Sequence, residues 1–269
     1  VADTDVMAAR RGPGILIRLL VVVLALVAIV GVGWLVRVVV VPTAGPLADD
    51  IPALEIEAAP VEPGSVAPGG LAAPQPQAAG GADPLRAWAE RLAGPTGIPA
   101  RALMAYGNAE LAVRSSSPGC RLSWATLAGI GRIESNHGRY GGAELREDGR
   151  LSKPIIGVPL NGSPGVKAIS DTDGGLFDGD AQVDRAVGPM QFIPSTWRRW
   201  TSDANLDGVG DPQQIDDAAF AAGRYLCANG RDMGSAQGWW AGVFSYNNSV
   251  PYGQKVFGLA DEYARTAAA

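Results

Sequence analysis

The sequence predicts a mainly α-helical domain with long irregular loops, preceded by one transmembrane helix and a disordered linker. Three observations predict it. The first is an apolar run near the start, the second a Pro/Ala/Gly-rich stretch behind it, and the third a series of helix start and stop signals from residue 83 onward, without alternating strand patterns.

The run from Leu19 to Val41 is apolar except for Arg37. At about 1.5 Å of rise per residue it is long enough to cross about 30 Å of hydrocarbon. Arg37 lies near one end, where its stem can snorkel to the interface. Arg10, Arg11 and Arg18 all precede the run, so residues 1–18 are expected in the cytoplasm and everything after residue 41 outside. A cleaved signal peptide is the alternative. It would carry a shorter apolar core, about 7 to 15 residues, and a small-residue cleavage site that the sequence does not offer convincingly.

Residues 42–82 are rich in Pro, Ala and Gly, with a few acids and no aromatic side chain. Such a stretch buries too little apolar surface to offset its ordering entropy. It reads as a disordered tether between the membrane and a folded domain over 83–269. The chain has 22 Lys and Arg against 27 Asp and Glu. This mildly acidic balance lacks the basic footprint of a nucleic-acid binder.

Within the domain, Asp83 and Pro84 mark a helix start and Gly94 a stop. A second helix follows Ile98 and Pro99, with Leu103, Tyr106 and Leu111 as apolar contacts through to Arg114. A third runs from Leu122 to about Asn136. The Gly- and Asp-rich region 138–186 is too long for an ordinary connection and reads as a functional loop or lid. Further helices are expected after Ser195, from Asp216 to Asn229, and from Tyr252 onward. Cys120 and Cys227 are the only cysteines. In an oxidising space outside the membrane, a disulfide between them is the economical expectation.

Leu127, Gly131 and Glu134 share one face of the third helix, so the glutamate ends an apolar stripe and should face the interior or a cleft. Lost hydration and the negative end of the helix dipole both favour its protonated form, which suits a general acid. His137, the sole histidine, follows the helix end, where an imidazolium can cap carbonyls. Gln191 has donors and an acceptor suited to sugar hydroxyls. Tyr246 offers a phenol that can reach the glutamate.

Three segments, IESNHGRYGG, RAVGPMQFIPSTW and FSYNNS, resemble in order and spacing the motifs of the membrane-bound type B lytic transglycosylases found in actinobacteria. The likeness covers residues 83 to about 263. It implies a lysozyme-like domain acting on peptidoglycan glycan strands, with Glu134 as catalytic acid/base and Ser135 contacting or orienting the substrate. Gln191, flanked by Met190 and Phe192, would line the cleft, and Tyr246 with Asn247 would complete it. The resemblance further implies that Glu134 protonates the glycosidic oxygen and that the sugar's own 6-hydroxyl closes a 1,6-anhydromuramoyl end, with no cofactor required. A water-using muramidase needs a second carboxylate, for which Asp171, Asp173, Asp178, Asp180 and Asp184 are candidates. A non-catalytic peptidoglycan-binding module is the rival of a different class.

Asp203, Asn205, Asp207 and Asp211 stand at positions 1, 3, 5 and 9 of a loop with Gly208 at position 6, like the first part of an EF-hand. Gln214 replaces the bidentate glutamate at position 12, and Asp216 or Asp217 is expected to supply the late carboxylate. The reading is a structural calcium ion held by Asp203, Asn205, Asp207, Asp211 and Asp217. The rival is a solvated acidic loop in which Asp216 caps the next helix.

Overall fold

The computed structural model describes residues 56–70, 72–74 and 83–269. The predicted transmembrane helix lies outside the described residues, and among these no helix is long and apolar enough to cross a membrane. Seven α-helices are described: α1 (Pro84–Thr96), α2 (Ala100–Ser116), α3 (Trp124–Ser135), α4 (Pro194–Trp200), α5 (Ile215–Leu226), α6 (Ala236–Tyr246) and α7 (Val250–Ala268). The mainly helical class is as expected. Among the described residues, β-pairing is limited to isolated antiparallel bridges.

Local chemistry explains most of the boundaries. Asp83 accepts a hydrogen bond from the N–H of Leu85, and Pro84 opens α1 at a position that needs no donor. Gly94 does not stop this helix. The chain continues through Pro95 to Thr96 and turns at Gly97, which takes the left-handed conformation that glycine adopts without steric cost. Ser123 caps α3, and Ser235 and Ser249 cap α6 and α7. The α6 helix is absent from the sequence expectation: Gly238 and Gly242 lower its intrinsic propensity, and burial of Trp239, Trp240 and Val243 supplies what propensity lacks.

The core forms around α2 and α3. The α2 helix packs on α1, α3 and α5, while α3 meets α7 over the largest helix contact of the domain. Gly129 permits that approach, because a Cβ there would lie 2.9 Å from the carbonyl oxygen of Val256 on α7. Trp124 meets Trp88 edge-on at 5.1 Å between ring centroids. Trp239 donates to Thr126 Oγ1 at 3.1 Å, joining α6 to α3. The long region before α4 is not a free lid. Bridges pair Leu145 with Leu151, Ile156 with Val187 and Ser170 with Val183, and a small cluster of Ala143, Leu151 and Ile155 packs beneath it.

The expected disordered tether also departs from the structure. Residues 56–70 and 72–74 form a strap of irregular backbone on the helical domain, with Ile56, Val61 and Ala67 against its core and Ala73 buried. The domain supplies both the apolar surface and side-chain donors for the strap's carbonyls, such as Trp240 for Ser65 at 3.0 Å.

The expected disulfide joins Cys120, in the short helical turn after α2, to Cys227 at the end of α5, with their Cα atoms 5.5 Å apart. It spans a sequence separation of 107 residues. Replacing both cysteines by alanine should lower unfolding stability by up to about 4 to 5 kcal/mol, the loop-entropy expectation for a span of this size. Equal denaturant midpoints for the two proteins would show that the bridge does not constrain the unfolded chain.

Candidate active site

Ten of the twelve residues of α3 are buried, and Arg132 and Glu134 are the two that are partly open. The helix therefore holds Glu134 on a support that cannot easily shift. Asn136 ends it in a left-handed turn, its N–H bonding to Arg132 O at 3.0 Å, and the N–H of His137 closes back onto Gly131 O at 2.8 Å. Tyr252, buried in the first turn of α7, donates its hydroxyl to Glu134 Oε1 at 2.6 Å.

The segment 187–192 is a tight hairpin placed beside the end of α3. Val187 and Phe192 exchange backbone hydrogen bonds at 2.9 and 3.0 Å across it. Gly188 is obligatory here: its φ is +79°, and a Cβ would strike the carbonyl of Pro212. Ser135 fastens the hairpin to the helix, donating to Pro189 O at 2.6 Å and accepting from the N–H of Gly138 at 2.7 Å. Tyr246 fastens it to α6 by donating to Met190 O at 2.6 Å.

Gln191 stands at the tip with a φ of +48°, a conformation uncommon for a side chain without Asn or Asp chemistry and one that tends to mark functional sites. Its Nε2 donates to Gly188 O at 2.9 Å. Its Oε1 lies beside Gly157, where a Cβ would come within 2.9 Å of it.

The other residues expected at the site take these places. Ser135, Met190 and Phe192 are buried and shape the hairpin from within. Phe192 packs against Trp197 and Tyr246. The phenol bonded to the glutamate belongs to Tyr252, which the sequence reading did not single out; Tyr246 lies near enough that burial first, and then the Glu134 carboxylate, hold its phenol well above the ordinary range. Asn247 is the C-cap of α6, its N–H bonding to Val243 O at 3.0 Å. A Ser-x-Pro-Tyr helix start is the only signal that could have drawn notice to Tyr252.

The acids of the long loop serve the loop itself. Asp184 accepts from the N–H and Oγ1 of Thr172, both at 2.8 Å, and Asp171 from the N–H of Gly174 at 2.9 Å. Asp178 accepts from the N–H of Arg185 at 2.6 Å, and Asp180 pairs with its guanidinium at 2.9 Å. Asp173 accepts from the N–H of Phe177 at 2.8 Å.

The expected calcium loop has oxygen donors of the right class, but they are turned to other partners. Asp203 accepts from the N–H groups of Asp207 and Gly208 at 3.1 and 2.9 Å, and Asn205 from the N–H of Asp207 at 3.0 Å. Arg150 reaches between Asp207 and Asp211, at 2.9 and 2.8 Å. Asp217, fully buried, accepts from the N–H groups of Ala204 and Asp211 at 2.7 and 3.0 Å. Among the described residues, the three carboxylates that do converge are Asp171, Asp173 and Asp184. Gln214 caps α5 through the N–H groups of Asp216 and Asp217, while Asp216 takes a two-point ion pair from Arg101. Asp216 is thus not the cap.

Compared with models of known protein families, with characterised proteins and with solved structures, the chain matches none.

His137 is corrected as well: its backbone N–H closes the helix, whereas the imidazole is buried between phenols, with Tyr106 at 3.1 Å from Nδ1 and Tyr263 at 3.4 Å from Nε2. Burial first, then the charges of Arg139 and Arg132, hold its pKa well below the ordinary 6.5. The folded protein keeps it neutral. Unfolding exposes a group that takes up a proton below about pH 6.5, so its stabilising effect is full above that pH and is lost as pH falls toward the folded-state value. The slope is at most about 1.4 kcal/mol per pH unit. His137→Gln should remove this component from urea midpoints measured between pH 7 and 5. Identical pH slopes for the two proteins would mean that the native imidazole is already charged.

Proposed function

We propose that the chain is a membrane-anchored, outward-facing lytic transglycosylase that cleaves peptidoglycan glycan strands on a lysozyme-like helical scaffold, with Glu134 as its single acid/base. The observation that carries the reading is the Glu134 carboxylate at the end of a buried helix, bonded to Tyr252 at 2.6 Å beside the hairpin that presents Gln191. The motif resemblance and the position of this carboxylate both support the reading.

The chemistry follows from the arrangement. With the Tyr252 hydroxyl bonded to its Oε1, the Glu134 carboxyl delivers a proton to the glycosidic oxygen. As the bond breaks, positive charge develops at the sugar C1. The 6-hydroxyl of the same sugar attacks that carbon and gives its proton to the carboxylate, so Glu134 returns to its starting form without water being consumed. Gln191 offers hydrogen bonds to the glycan. The alternative hydrolytic route requires a second carboxylate, and the five aspartates that could supply one are engaged by their own loop.

The decisive experiment is mass spectrometry of digested glycan, with wild type beside Glu134→Gln. Anhydro ends are expected from wild type, and the amide should lower the rate by at least about 10²-fold, as for loss of a general acid. Reducing ends would identify a muramidase instead, and intact strands a binding module.

The same reading includes a structural calcium ion in the loop 203–217. It would replace the Arg150 guanidinium between Asp207 and Asp211. An ion that binds only the folded state adds about 2.7 kcal/mol at a hundredfold excess over Kd, so chelation should lower the melting temperature and Asp207→Ala should abolish that response. Without calcium heat in calorimetry and without a melting shift, the guanidinium alone neutralises the loop.

A further inference from the structure

The strap touches the helices that build the site at both of its ends. Toward its start, the N–H of Ala59 donates to Gln254 O at 3.4 Å, and Gln254 Nε2 donates to Val61 O at 2.8 Å. Gln254 lies two residues beyond Tyr252, in the first turns of α7. Trp240 of α6 donates to Ser65 O at 3.0 Å, and its ring lies against Gly253 of α7. At the far end, Gly70 lies so close to α7 that a Cβ there would come within 2.8 Å of Ala264 Cβ, and Ala73 is buried against Gly107 of α2. A single stretch of chain thus lies along α7, which carries Tyr252.

We infer that the strap positions Tyr252 against Glu134, with Gln254 and Trp240 as the positioning residues through which it acts. The inference rests on the proposed role of Glu134 for its effect on catalysis, and on the contacts alone for its effect on α7. Without the strap, the outer face of α7 loses two backbone partners and an apolar cover. The first turn of the helix then gains freedom to fray, because helix termini depend on such external partners. Fraying there removes the Tyr252 hydroxyl from Glu134 Oε1 while leaving the rest of the cleft in place.

Two substitutions in the full chain test this. Gly258→Leu places a side chain where even a Cβ would lie 3.1 Å from Ala59 Cβ, and leucine suits a helix better than glycine, so it displaces the strap without weakening α7. Gln254→Leu removes the bond to Val61. Amide exchange should quicken over residues 56–70 and at the N–H of Gly253 in both variants. On soluble glycan strands kcat should fall about tenfold with KM unchanged, a loss of transition-state stabilisation only. Tyr252→Phe should give a fall of the same kind, and combining it with Gly258→Leu should cost no more than Tyr252→Phe alone, as expected of two changes acting through one contact. A released strap with unchanged kcat, losses that multiply in the double variant, or strap amides no slower in wild type than in the variants would each overturn the inference. If wild type leaves the glycan intact, the transglycosylase reading fails separately, and exchange at Gly253 still decides whether the strap orders α7.

Discussion

Everything in this domain is organised by the burial of α3. A helix with apolar or small residues on every side has no solvent face to present, so it must be surrounded. Here α1, α2, α5, α6 and α7 take part in the surrounding, directly or through the tryptophans that meet it. Its ends are closed with equal care: Glu110 and Ser123 bind the first free N–H groups, and the left-handed turn at Asn136 closes the last carbonyls. The consequence for function is positional. A carboxylate at the end of such a helix is fixed by the whole core, so under the proposed function little reorganisation is needed when it transfers a proton.

Around that fixed point the molecule places phenols. Tyr252 meets Glu134 directly, Tyr246 secures the hairpin, and Tyr106 and Tyr263 enclose His137. Burial lifts the pKa of Tyr106 far above its ordinary value and that of Tyr263 to about 12. Tyr106, Tyr246 and Tyr263 are all held above the ordinary phenol range, burial being the first cause in each.

The connections between helices carry more order than their composition implies. The 143–192 region is stitched by bridges and by aspartates bound to its own N–H groups, and the acidic loop before α5 is held by Asp217 from below and Arg150 from outside. In both places, carboxylates that would read as ligands or catalysts are bound to neighbouring backbone N–H or guanidinium groups. The strap shows the same economy with a different composition, drawing its order from Trp240 and Gln254.

The sequence by itself determined the helical class, the capping of α1 at Asp83, the pairing of the two cysteines and the place of Glu134 at the end of an apolar stripe. These are local or nearly local properties: a cap, a period or a count of two is written in adjacent residues. Only the tertiary structure decided that Tyr252 and not Tyr246 bonds the glutamate, that Ser135, Met190 and Phe192 work from inside the hairpin, that α6 is a helix, and that residues 56–70 and 72–74 are packed. Each of these depends on which surfaces meet across more than fifty residues of chain. Hydrophobic periodicity reports that a side chain is buried, while its partner is chosen by helix packing, and packing is a property of the assembled domain.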